Sequence, residues 1–203
     1  MEIAQLRLDS FDEIDAKMSA LIYRDFVQGK VITKRAYDAL RAEYKDNPQY
    51  TLLFNHESHF KKLYQHIGSE LILDDSGEFY YIREVGDEGA DEADENAFKI
   101  QVVLLILGRY FSRSGRDLEL LSLPDTGLDE TDILALNEDP EYTDILRAAR
   151  FKNGAQEALD FITSRNFAYK MGDKRYFISD AGSAFLLRLL TAYESSGIAG
   201  GSE

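Results

Sequence analysis

Cysteine is absent from all 203 residues. That absence excludes a disulfide framework, a thiolate zinc site and a cysteine nucleophile together, and it fits a reducing compartment. Histidine is nearly absent: only His56, His59 and His66 occur, all on one predicted helix. His56 and His59 have i,i+3 spacing, but no third ligand joins them, so no metal site is expected. Long apolar runs are missing too. The longest, Val102–Leu107, is far too short to cross a bilayer. Met1–Asp15 carries acid where a signal peptide needs base and has no continuous apolar stretch. These features predict a cytoplasmic protein without a membrane partner. Base is in deficit, with 23 Lys and Arg against 37 Asp and Glu, a net charge of −14. The isolated chain is therefore a poor non-specific ligand for nucleic acid.

Catalytic signatures are also lacking. The chain has no Gly-x-x-x-x-Gly-Lys-Ser/Thr, no Gly-x-Gly-x-x-Gly after a strand and no Gly-x-Ser-x-Gly. No carboxylate sits in an apolar run where burial would raise its pKa for acid catalysis. The acidic run lacks the order of an EF-hand loop. A non-enzymatic protein without cofactor or metal is expected.

What the chain does have is 44% hydrophobic and 12% aromatic residues, enough for a real core. It also has a pattern that occurs twice: short amphipathic helices ending in a polar-tipped hairpin. The first copy runs through predicted helices at Lys34–Leu40 and His59–Ile67 into strands Leu71–Leu73 and Phe79–Ile82. Asp74-Asp-Ser-Gly77 supplies the turn, because glycine tolerates the backbone a tight hairpin needs. The second runs through a helix over Gly154–Arg165, capped by Asn153, into Phe167–Lys170 and Arg175–Ile178 around Gly172-Asp173. Ser179-Asp180 then caps a helix over Ala181–Tyr193.

The remaining segments fall between these copies. Ser10-Phe-Asp-Glu13 reads as a capping box before a helix carrying Ile14, Met18, Leu21, Ile22 and Phe26, stopped by Gly29. Thr33 caps the next predicted helix, with Tyr37, Leu40 and Tyr44 on one side, until Asn47-Pro48 breaks it. Thr51–Phe54 reads as an apolar connector. Phe98–Phe111 is a strongly apolar helix with Ile100, Val103, Leu104, Leu107 and Phe111 inward. Leu118–Leu123 fits helix and strand equally. Asp129 caps Glu130–Leu136, and Asp139-Pro140 starts the helix Glu141–Arg150.

The expected fold is mainly α with small β-hairpin wings (α+β), as tandem winged helix-turn-helix domains. Residues 1–83 form the first, 84–96 an acidic linker, 97–193 the second and 194–203 a Gly/Ser-rich disordered tail. The linker holds seven carboxylates between Glu84 and Glu95 and no base. The winged segments are mildly basic: eight Lys/Arg against five Asp/Glu from Arg24 to His66, and seven against four from Arg150 to Tyr193. Lys152, Arg165, Lys170, Lys174 and Arg175 cluster around the second hairpin and are candidate DNA-backbone contacts, which position a protein without reading sequence. Phe79, Tyr80 and Tyr81 on the first wing, with Tyr176 and Phe177 on the second, are candidate protein-interface aromatics. Strand alternation should leave some of these rings exposed.

Several stretches resemble the MukE family, the small winged-helix subunits of bacterial condensins. They are Phe26-Val-Gln-Gly-Lys-Val-Ile32, Leu63-Tyr-Gln-His-Ile-Gly68 and Glu70-Leu-Ile-Leu-Asp-Asp-Ser-Gly-Glu-Phe-Tyr-Tyr-Ile-Arg83. Ala158-Leu-Asp-Phe-Ile-Thr-Ser-Arg165 and Tyr176-Phe-Ile-Ser-Asp-Ala-Gly182 continue the likeness, which covers roughly Ala20–Tyr193. The short N-terminus, the acidic linker and the weakly basic second recognition helix point to the MksE branch, whose relatives include plasmid-restricting systems. The resemblance implies a kleisin-interacting tandem winged-helix (KITE) protein. Such a protein is a homodimer that binds a kleisin (MksF-like), joins an SMC ATPase (MksB-like) through it, and touches DNA weakly or only within the complex. A cytoplasmic, nucleoid-associated role in chromosome condensation and segregation, or in plasmid defence, follows. The competing expectation is a tandem winged-helix transcription regulator, which would bind DNA sequence-specifically by itself.

Overall fold

Asp15 starts the first helix. Its Oδ1 accepts from the backbone N–H groups of Lys17 (2.8 Å) and Met18 (3.1 Å), satisfying donors that have no partner within the helix. A computed structural model describes residues 14–85, 95–173 and 175–199, with side chains through Tyr193. The capping box at Ser10–Glu13 lies outside the described residues. Helix α1 (Ala16–Val27) buries Ile22 and Phe26 and leaves Leu21 outside.

The segment read as a helix after Thr33 is instead a hairpin. Strand β1 (Ile32–Thr33) is followed by β2 (Arg35–Asp38) and β3 (Glu43–Asp46), which pair antiparallel with Tyr37 opposite Tyr44. Ala-Leu-Arg-Ala-Glu is a helix-forming stretch by propensity, but tertiary contacts override it. The Tyr37 ring packs edge-on against Phe177, 4.8 Å away, and lies 5.4 Å from Tyr44. In a helix the two tyrosines would share a face but stand about 10 Å apart along the axis. Asp38 closes the turn by accepting from the Leu40 and Arg41 N–H groups.

A second correction follows at once. The connector at Thr51–Phe54 is part of helix α2 (Pro48–Asn55), which buries Tyr50 and Leu53. Asn47-Pro48 does not end a helix but begins one. Asn47 Oδ1 accepts from Gln49 N–H (3.0 Å), and proline at the first position loses no hydrogen bond. Asn47 Nδ2 also donates to the Thr33 carbonyl, tying α2 to β1.

Helix α3 (Glu57–His66) buries His59, Phe60 and Tyr64. Strands β4 (Ser69–Asp74) and β5 (Phe79–Glu84) form the first wing, and β1 joins its far side to give the order β1-β5-β4. Glu84, expected in the linker, is therefore the last residue of β5. Glu95 and Asn96 open helix α4 (Glu95–Arg113), and residues 86–94 lie outside the described residues.

The five inward positions expected on α4 are buried, Leu104 and Phe111 completely. A 3-10 turn (Leu118–Ser122) resolves the run that fitted helix and strand equally. Leu128 then makes a single antiparallel bridge to Tyr176. Helices α5 (Glu130–Glu138), α6 (Pro140–Ala148) and α7 (Gly154–Thr163) lead to the second wing, β6 (Ala168–Met171) with β7 (Arg175–Ile178). Asn153 stands at the N-terminus of α7 but makes no side-chain cap. Asn137 Oδ1 accepts from Ala155 N–H in its place (2.9 Å). Helix α8 (Asp180–Ala199) starts where Ser179 Oγ accepts from Gly182 N–H. It carries helical backbone through 194–199, where a disordered tail was expected; residues 200–203 lie outside the described residues.

The two halves repeat one plan. A helix leads to a short strand, further helices follow, and a hairpin comes back so that its second strand pairs with that short strand: β1 on β5, Leu128 on β7. Buried side chains form two clusters. One joins Ile22, Phe26, Leu53, Phe60, Tyr64 and Tyr80; the other gathers α4 to α8 and includes Val31 and Phe79 from the first half.

Candidate interaction surfaces

The halves are stitched along the β1–β2 segment. Val31 N–H donates to the Arg165 carbonyl (3.1 Å), and Asn166 Nδ2 donates back to the Val31 carbonyl (2.8 Å). The Tyr169 hydroxyl donates to the Arg35 carbonyl (2.9 Å) and lies 3.2 Å from Thr33 Oγ1. Arg35 reaches Asp180 at the start of α8 (3.0 Å). Arg188 of α8 pairs with Asp74, a buried carboxylate at the first wing tip that also accepts from the Ser76 and Gly77 N–H groups.

This stitching decides the fate of the candidate aromatics. Phe79, Tyr80, Tyr176 and Phe177 are all buried. The expectation of exposed wing rings is therefore corrected. Phe177 takes the edge of Tyr37, Tyr80 lies 5.1 Å from Tyr50, and Phe79 faces Phe167. Alternation turns Tyr80 and Tyr176 into the cores of their own halves, and the opposite half covers the other face of each wing: Phe167 and α8 at Phe79, the β2–β3 hairpin at Phe177. Tyr81 is half-buried against the second core.

The candidate basic residues do not form one free face. Arg165 lies with its guanidinium 3.7 Å over the Phe161 ring and donates to Asn96 Oδ1, joining the end of α7 to the start of α4. Arg175 donates to the Asp125 carbonyl. The Lys170 ammonium sits over Tyr176, and the tyrosine hydroxyl raises its pKa. Lys152 is exposed, and Lys174 lies outside the described residues. On the same side, Asp160 of α7 accepts from Tyr176 OH (2.7 Å) and from Gln156 Nε2 (3.1 Å). A fixed carboxylate there repels phosphate.

The best-built polar group is in the second half. Asp132 is 8% exposed and occupies the third position of α5. Its carboxylate accepts from Arg116 at 2.7 and 3.1 Å, from Tyr110 OH at 2.8 Å and from Asp129 N–H at 3.1 Å. Burial pushes the carboxyl up, but the Arg116, Asp129 and Tyr110 hydrogen bonds outweigh it and hold its pKa below the usual carboxylate range. Tyr110 is pushed up to about 12 by burial and by donating to that carboxylate. The carboxylate's four hydrogen bonds all come from within the fold, and the group ties α4, the loop after it and the start of α5 together.

The histidines do not converge. His59 is buried, and His66 is exposed at the end of α3. No cluster of three metal-ligating side chains occurs among the described residues. No helix among them is long and apolar enough to cross a membrane.

Large apolar side chains stay exposed in both halves: Tyr23 (52%) and Val27 (63%) on α1, Phe54 (59%) on α2 and Ile67 after α3, and in the second half Phe98 on α4, Leu134 on α5 and Leu187 on α8 among others. A partial signal for the α1 pair was legible beforehand. Tyr23 and Val27 have i,i+4 spacing, off the stripe made by Ile22 and Phe26.

The fold defines a mainly helical protein with small antiparallel wings, one in each half. The chain belongs to the MksE family of condensin complex proteins, whose family model matches residues 17–190. Matching nearly the whole described chain, it makes the protein a condensin complex subunit by family. No curated protein matches the sequence.

Proposed function

We propose that this chain is a non-enzymatic accessory subunit of an SMC–kleisin condensin, built as a tandem winged-helix adaptor. It binds a kleisin subunit as a homodimer and joins the SMC ATPase through that kleisin. DNA contact is weak in the isolated chain and is made within the complex, at the nucleoid, in chromosome organisation or plasmid restriction.

The observation that carries this reading is where apolar surface remains. Tyr23 and Val27, one turn apart on α1, stay exposed side by side while the wing aromatics Phe79, Tyr80, Tyr176 and Phe177 are buried. Large apolar groups in water are costly singly and informative together, because a partner that covers them gains about 25 cal/mol per Å² of apolar area. Strand β4 pairs with β5 on one side only, so its other edge suits an extended kleisin segment adding as a strand.

Co-purification with the protein encoded beside it, tested for being a kleisin, followed by native mass measurement, tests the proposal. Two copies of this chain per kleisin are expected, and Tyr23→Asp with Val27→Asp should weaken the assembly while the chain still melts cooperatively. A wild-type chain that ignores that neighbour refutes it.

A further inference from the structure

Two helices stand at the same place in the repeated plan, each running directly into a wing. They present opposite charge. On α3, Ser58, Lys61, Lys62 and Gln65 are exposed at i, i+3, i+4 and i+7, so they share one face. His66 is exposed beside them at the helix end. On α7 the corresponding outward positions include Gln156, Glu157, Asp160 and Ser164, and Asp160 is held in place by Tyr176. One face offers two ammonium groups with amide and hydroxyl donors. The other offers two carboxylates and no base.

We infer that duplex DNA is contacted through the α3 face in the first half, with Lys61 and Lys62 on phosphates, and not through the basic residues around the second wing. This deepens the adaptor reading and rests on it for the DNA partner. Backbone contact needs cations and polar donors on a protruding face and carries no demand for base readout. The α3 side chains meet that need. Both lysines have partners within the chain: Lys61 is paired at 2.9 Å with Glu57, four residues earlier. Such an i,i+4 pair between half-exposed side chains is weak, so a phosphate displaces the carboxylate readily. At the second wing, Arg165, Lys170 and Arg175 would have to leave internal partners, and they would approach DNA past Asp160.

The test is fluorescence anisotropy of the full chain with a short labelled DNA duplex over a salt series, wild type against Lys61→Ala/Lys62→Ala and Lys152→Ala. Each lysine–phosphate contact contributes about 0.9 to the slope of log K against log salt. The double variant should flatten that slope by about 2 with an unchanged melting curve, and Lys152→Ala should leave it unaltered. No measurable binding at low salt, an unchanged slope in the double variant, or an equal loss in Lys152→Ala overturns the inference. A double variant that keeps its DNA slope but no longer co-purifies with the kleisin assigns the α3 face to protein, and also overturns it. A wild type that fails to co-purify, with the slope change present, refutes the adaptor reading and leaves the DNA face standing.

Discussion

Removing the Asp132 carboxylate should destabilise the chain by about 3 kcal/mol. The figure comes from two losses. Breaking a buried ion pair from one side costs about 3–5 kcal/mol, but the Arg116 side chain is 29% exposed and regains water, which brings the cost down to about 2. The Asp129 N–H loses its acceptor in the capping box at the start of α5, adding about 1 kcal/mol. For a chain of this length about 3 kcal/mol corresponds to a fall in Tm of roughly 6–12 °C. The assay is urea and thermal unfolding of Asp132→Ala, Arg116→Met and the double variant at pH 7. The two groups act as one unit, so the double variant should lose clearly less than the sum of the singles. The pH dependence has a fixed sign. The Asp132 pKa is lower in the folded chain than its unfolded value of about 3.9, so its stabilisation is full above that pH and is lost as pH falls through the folded value. The gap between wild type and Asp132→Asn should therefore narrow below about pH 4. A loss under about 0.5 kcal/mol at pH 7, additive single variants, or a gap that widens in acid would refute the reasoning.

Two further predictions concern the contacts that build and join the halves. An added Cβ at Gly127 would stand 2.2 Å from the Tyr176 carbonyl oxygen, so Gly127→Ala must push the Leu128–Tyr176 bridge apart; it should cost more than about 2 kcal/mol in urea unfolding, as overpacking of a filled site does. Gly115→Ala is the control: the site is open but φ is +69°, so only backbone strain of about 1 kcal/mol is expected, and an equal loss in both variants would remove the steric account. Arg188→Ala leaves Asp74 buried with two backbone donors and no cation, which should cost about 1–2 kcal/mol given that Arg188 is half-exposed; hydrogen exchange should quicken at Ser76 and Gly77, and unchanged exchange there would show that α8 does not hold the wing tip.

The sequence by itself determined the local signals. Asp129 and Asp139-Pro140 started helices where they were read to, the expected α4 positions from Ile100 to Phe111 turned inward, and both wings formed, because caps, apolar periodicity and turn chemistry act over a few residues. Gly172 takes the left-handed position at the second tip as its turn chemistry asks, but at the first tip Glu78 (φ +46°) takes it, and Gly77 is needed instead for room beside Phe79 and Ala184. The likeness to MukE and MksE proteins was legible on the same stretches. Tertiary structure decided the rest. Tyr37 and Tyr44 sit at a spacing that a helix or a hairpin accommodates, and the rings of Tyr169 and Phe177, more than a hundred residues away, select the hairpin. Asn47-Pro48 ends or begins a helix with equal ease until Tyr50 and Leu53 find a core. The candidate surfaces failed for the same reason. Strand alternation fixes which rings share a face but not what covers that face, and composition counts lysines and arginines without showing which are already held by Phe161, Tyr176 or a backbone carbonyl. Exposure is a property of both halves packed together, so which side chains stay outside could be read only once they were.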